Sequence, residues 1–194
     1  MKQKIALTIS RILHPMVLMP LFIGYVVFSL LPPGRAILTT VSIVGIGIVP
    51  LALWNIYRTQ TGKYSNFDVS IREQRFSMFG VVFLLSTVLM AYLWYTGQPE
   101  VLLIGCALVI GLVFSSFVFN FWLKTSLHTA ILTYICIGLW PMDSDLSLLM
   151  GVGVPLVAWA RVVQSRHSLS EVGVGFFIGA IFGACLLLLT GYFD

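Results

Sequence analysis

Charged side chains are scarce in this chain: eleven Lys and Arg and seven Asp and Glu make up only 9% of its 194 residues. A soluble domain carries charge on about a quarter of its residues, so a solvated globular surface is excluded. No Lys/Arg cluster with interleaved aromatics occurs, which excludes a nucleic-acid interface; the formal net charge of +4 suits contact with anionic headgroups instead. Cysteine is also sparse. Cys106, Cys136 and Cys185 each stand alone in an apolar run, odd in number and without metal-ligand spacing, so packing is their expected role. No cleavable leader is expected either: Lys2, Lys4 and Arg11 precede an apolar stretch, but His14, Pro15 and Pro20 interrupt it and no small-residue cleavage pattern precedes Pro32. The first apolar segment is expected to be retained.

What the chain has is hydrophobicity, at 59% of residues and a mean hydropathy of +1.00. Crossing a bilayer takes about 20 apolar residues. Runs near that length cover Pro15 to Leu31, Ala36 to Tyr57, Phe76 to Tyr95, Val101 to Trp122, Leu146 to Val163 and Val172 to Leu189, with a shorter one from Ser126 to Trp140. The expected fold is an all-α, polytopic membrane bundle of six to seven transmembrane helices forming a single domain over 1–194. A bacterial inner (plasma) membrane is the expected location.

In such a chain the polar stretches carry the information. His14-Pro15 opens the first apolar run, where His14 is either a ligand or the cap of a helix start. Pro32-Pro33-Gly34-Arg35 predicts a tight turn, and Gly45, Gly47 and Pro50 predict close packing or a bend. The longest polar stretch runs from Arg58 to Arg75. Within it Ser70-x-x-Glu73 reads as a capping box that places Arg72 and Arg75 on one helical face; the plain alternative is a solvated loop. Gly97-Gln98-Pro99-Glu100 closes a helical hairpin.

Next comes Lys124-Thr-Ser126-Leu-His128, in which Ser126 is placed to cap the short helix. A Lys and a His at a helix N-terminus favour an anion, because free N–H groups and the helix dipole point the same way. Asp143 and Asp145 follow in a turn, without histidine or further carboxylates nearby, and are expected to be solvated rather than to bind metal. The last polar stretch, Arg161 to Glu171, packs two Arg, a His and a Glu between two apolar runs. An intramembrane Arg161 is a functional candidate or a snorkelling side chain at a helix end. Ser168-Leu-Ser-Glu171 reads as a second capping box, and Gly173, Gly175, Gly179 and Gly183 predict tight packing of the last helix.

With seven crossings, the N-terminus, Arg58 to Arg75, Lys124 to His128 and Arg161 to Glu171 emerge on one face of the membrane. Arg35, Glu100, Asp143, Asp145 and Asp194 emerge on the other. Ten of the eleven basic residues, with His128 and His167, then share a side, which the positive-inside rule would make cytoplasmic if these charges served topology alone.

At Arg161-x5-His167-x3-Glu171, with Lys124-Thr-Ser126-Leu-His128 upstream, the sequence resembles the type-2 phosphatidic acid phosphatase family of membrane lipid phosphatases. That family's third motif is Ser-Arg-x5-His-x3-Asp and its second is Pro-Ser-Gly-His. Here Ala160, Glu171, Thr125 and Leu127 stand for the motif Ser, Asp, Pro and Gly. The first motif, Lys-x6-Arg-Pro, is absent as written, and Arg72 and Arg75 are its stand-ins by order and side. The resemblance implies hydrolysis of a lipid phosphate such as phosphatidate, phosphatidylglycerol phosphate or polyprenyl diphosphate, with neither metal nor cofactor. It further implies His167 as nucleophile, Glu171 as the carboxylate orienting it, and His128 as acid and base. Arg161, Lys124, Ser126 and Arg72 or Arg75 would hold the phosphoryl oxygens, while Arg166 has no counterpart and would meet headgroups. Two other classes stay open: a non-catalytic lipid-binding or structural membrane protein with an altered site, and a magnesium-dependent prenyltransferase using Asn66-Phe-Asp68 and Asp143-Ser-Asp145.

Overall fold

The computed structural model of the chain describes residues 1–191. The structure is all α-helical, with no strand among the described residues: α1 (Lys2–Ile12), α2 (Pro15–Leu30), α3 (Pro33–Ile43), a π-helical turn (Val44–Ile48), α4 (Val49–Gln60), α5 (Arg72–Tyr95), α6 (Glu100–Phe119), α7 (Leu127–Leu139), α8 (Ser144–Val163) and α9 (Leu169–Leu189). Among the described residues six spans are long and apolar enough to cross a membrane: Lys2–Leu30, Pro33–Gln60, α5, α6, α8 and α9. The chain is therefore a multi-pass membrane protein. The thirteen residues of α7 rise only about 20 Å, which makes it the short seventh helix. Leu21, Leu38, Leu53, Leu84, Leu149 and Phe177 are exposed along the spans, as expected of helices that face lipid.

Prolines punctuate the first half. Pro15 lacks an N–H and disfavours helical geometry in the residue before it, so the first span breaks between α1 and α2. The turn expected over Pro32 to Arg35 is narrower than that: Pro32 caps α3, and Pro33, Gly34 and Arg35 already form its first turn, where a proline costs no hydrogen bond. Pro50 can neither donate to the carbonyl of Ile46 nor fit its ring beside it. The widened π turn at Val44–Ile48 accommodates that conflict, giving the irregularity expected from Gly45, Gly47 and Pro50.

Contacts divide the chain into two compact units, with boundaries inside α2 and α6. The unit Pro20–Cys106 holds α3 to α5 and the polar loop 61–71. There Ser42 Oγ lies 2.8 Å from Tyr92 Oη, Trp54 Nε1 donates to Tyr64 Oη at 3.1 Å, and the Arg58 guanidinium sits over both the Trp54 and Tyr64 rings. The capping box expected at Ser70 and Glu73 does not form. α5 starts one residue later, its N-cap is Ile71, and no side chain caps it. Ser70 Oγ instead bonds Asn66, and Glu73 pairs with Arg72 at 3.6 Å.

The other unit joins Met1–Met19 to the chain from Ala107 onward. Its centre is α7, ten of whose thirteen residues are buried. A Cβ on Gly175, Gly179 or Gly183 would strike Ser126 O at 2.6 Å, Ala130 O at 2.2 Å or Ile137 Cβ at 2.8 Å. Both residue series rise together, so α7 and α9 run parallel in close backbone contact, and three of the four glycines picked out in the sequence lie on the seam. Gly173, with open space around it, does not. α8, which links them in the chain, runs the opposite way to α7, Ser147 Oγ donating to Cys136 O at 2.7 Å.

Candidate functional site

Parallel helices bring like ends together. The Ser126 N–H donates to Glu171 O at 3.1 Å, which sets the N-terminus of α7 beside that of α9. Ser126 is the N-cap of α7, its hydroxyl accepting from Thr129 N, as its sequence position predicts. Ser168 and Glu171 form a complete capping box on α9, also as predicted. Two capped helix starts, each with a positive dipole end, therefore meet at one end of this unit.

The spacing from Arg161 to Glu171 has a local structural cause. α8 ends in a Schellman motif: Arg166 N–H donates to Arg161 O at 3.0 Å and Ser165 N–H to Val162 O at 2.9 Å, with Ser165 in the left-handed region at φ 53°. The reversal also lets His167 N–H reach Arg161 O at 3.3 Å. One residue later the capping box starts α9, so Arg161, His167 and Glu171 are held by one continuous turn between two helices.

The side chains then converge on the Glu171 carboxylate. His167, whose side chain is fully buried, places Nδ1 2.9 Å from Glu171 Oε2. The same oxygen accepts the Ser168 N–H at 3.2 Å and lies 3.9 Å from Lys124 Nζ. Glu171 is thus a cap and a histidine partner at once. With Nδ1 protonated toward the carboxylate, the Nε2 lone pair of His167 is the ring's nucleophilic position.

His128 is buried in the first turn of α7, two residues past Ser126. Its ring meets that of His14 edge to face, with centroids 4.7 Å apart and planes at 85°. Arg161 is wholly buried, so it is not a snorkelling side chain; its Nη1 donates to Ser10 Oγ at 3.0 Å. Nearby, Gln164 Nε2 donates to Ala6 O at 3.0 Å. The participation of α1 through Ser10 was not legible in the sequence, where no motif singles that serine out.

Six of the sequence-predicted residues, Lys124, Ser126, His128, Arg161, His167 and Glu171, therefore gather at one end of this unit. Arg72 and Arg75 belong to the other unit. They stand three residues apart in α5, as expected, but in different surroundings: Arg72 is exposed, whereas Arg75 is buried and its Nε donates to the Val69 carbonyl at 3.0 Å. Leu127 takes the first helical position of α7 with no positive φ, so its backbone does not call for glycine. Asp143, expected to be solvated, caps α8 by accepting from Leu146 N–H at 2.9 Å. Asp194 lies outside the described residues.

No family model, curated protein or solved structure matches the chain.

Proposed function

We propose that the protein is a lipid phosphate phosphatase that works through a phosphohistidine, on the pattern of the type-2 phosphatidic acid phosphatases its motifs resemble. The single observation that carries the reading is the His167 Nδ1 to Glu171 Oε2 contact of 2.9 Å. A carboxylate on one ring nitrogen selects the tautomer whose other nitrogen can attack, as in a hydrolase triad. Two further features support it. Lys124 supplies cationic charge 3.9 Å from the dyad's carboxylate, with Arg161 buried on the helix end that leads into His167, and the paired N-termini of α7 and α9 offer the kind of dipole field that favours a phosphoryl group.

His167 Nε2 attacks phosphorus and the lipid alkoxide departs with a proton from His128; a water that His128 deprotonates then releases phosphate. Phosphoryl transfer of this kind depends on positioning and on charge around the equatorial oxygens, and needs no metal in this scheme. A substrate phosphate at headgroup depth on a membrane-anchored chain means a lipid entering from one leaflet. The proposed setting is the inner membrane of a bacterium, and phosphatidate, phosphatidylglycerol phosphate and polyprenyl diphosphate all have the required chemistry.

The test is phosphate release from these lipids by detergent-purified protein in excess chelator. Activity that vanadate inhibits and that His167→Ala abolishes is the expected result. Full activity in His167→Ala sinks the mechanism, and inactivity of the wild-type protein across the panel, with lipid binding intact, favours a non-catalytic lipid-binding protein.

A further inference from the structure

The functional reading leaves His14 unused, and its placement is specific. His14 is the N-cap of α2: its carbonyl accepts from Val17 N–H and Leu18 N–H at 2.8 and 2.9 Å, and its Nδ1 accepts from Met16 N–H at 3.1 Å. A backbone amide only donates, so this bond assigns the Nδ1 lone pair to the cap and fixes the ring's rotation. That ring is the one set edge to face against His128 at 4.7 Å. Edge-to-face geometry is favoured because the positive ring edge meets the negative ring face. Four residues earlier on the same chain segment, Ser10 Oγ meets Arg161 Nη1. The N-terminal helix pair therefore touches two residues of the candidate site at once, through a serine and a histidine whose own orientations are set by local backbone.

We propose that His14 is a positioning residue for His128, its capped ring holding the plane of the imidazole that moves protons to and from the substrate. The chemistry rests on the phosphatase reading; the contact does not. In the first half-reaction the His167 Nε2 lone pair forms the N–P bond, the P–O bond to the lipid breaks, and the departing oxygen takes a proton from His128. In the second, water attacks phosphorus, His128 recovers a proton from it, and the N–P bond breaks with its electron pair returning to Nε2. Only the first half-reaction requires a proton to be delivered to the leaving group, and that requirement disappears when the leaving atom is sulfur, since a thiolate departs unprotonated.

The experiment pairs His14→Asn with two substrates that differ in one atom: a lipid phosphate and its analogue with sulfur at the bridging position. Asn keeps an acceptor for the Met16 N–H at the N-cap, so α2 retains its start while the ring is lost. The expected result is a loss of at least about tenfold in kcat/KM, which reports only the steps up to departure of the leaving group, on the oxygen ester, a fraction of what general acid catalysis contributes, with less than about threefold on the sulfur ester. Equal losses on both substrates mean plain structural damage and overturn the proposal, as does no loss on either. Imidazole 15N spectra of the wild type and His14→Asn keep the claim testable if neither substrate is turned over. In that case the phosphatase reading fails by itself. Movement of the His128 signals with those of His167 in place supports the positioning contact, and unmoved His128 signals refute it.

Discussion

Glu171 makes two kinds of contact that a single substitution can separate. As the third residue of α9 it completes a capping box, a place where Gln serves as well as Glu. In the proposed phosphatase scheme the partner of His167 Nδ1 must also carry charge, because a phosphorylated or protonated imidazole needs a counter-charge that an amide lacks. Glu171→Gln is therefore expected to leave the melting temperature nearly unchanged while lowering turnover by about 10²-fold or more; an equal fall in both would reduce Glu171 to a cap. Ser165 offers the converse case. It holds the left-handed position that ends α8, a conformation glycine adopts without the Cβ penalty. Ser165→Gly should stabilise the protein by about 0.5–1 kcal/mol, read by chemical denaturation, with phosphate release unaltered.

Helix α9 binds α7 through absent side chains. At Gly179 a Cβ would lie 2.2 Å from the Ala130 carbonyl oxygen and 2.9 Å from Thr133 Cβ, and a backbone atom cannot swing aside as a flexible side chain can. Gly179→Val forces the helices apart and should cost about 1–3 kcal/mol or more, whereas Gly173→Ala, facing open space, should be close to neutral or slightly stabilising. Thermal unfolding in detergent of the two variants side by side checks the contrast. Because the same seam carries the Ser126 to Glu171 bond, Gly179→Val is also expected to disturb the candidate site some distance away. The two capping boxes read in the sequence show where local reasoning stops. Ser168 and Glu171 follow a helix end that reverses the chain, so the serine is free to cap; Ser70 is drawn to Asn66, and the helix start moves to Arg72.

Across the whole chain, the unit built on α7 has a definite sidedness. α1 and α8 meet at Ala6 and Gln164 and again at Ser10 and Arg161, so the N-terminus and the turn after α8 lie at the same end, and Asp145 in the first turn of α8 lies at the opposite one. In a variant lacking the three native cysteines, Cys placed at Lys4 or Arg166 should react with an impermeant maleimide from one side of oriented vesicles. Cys placed at Asp145 should react only from the other; labelling of all three from one side would contradict the topology. The all-helical, multi-pass architecture was legible in the amino acids alone, since a chain with so little charge and repeated apolar runs has to satisfy its backbone within helices once in lipid. So was the segment from Arg161 to Glu171, whose caps and turn involve neighbours in sequence. The partnership of Ser10 with Arg161, of His14 with His128 and of Lys124 with Glu171 was not, because each joins residues distant along the chain and depends on which helices pack together. The glycines spaced four apart in α9 announced a close seam, but which helix fills it depends on the burial of α7, a contact between helices that the pattern within one of them does not specify.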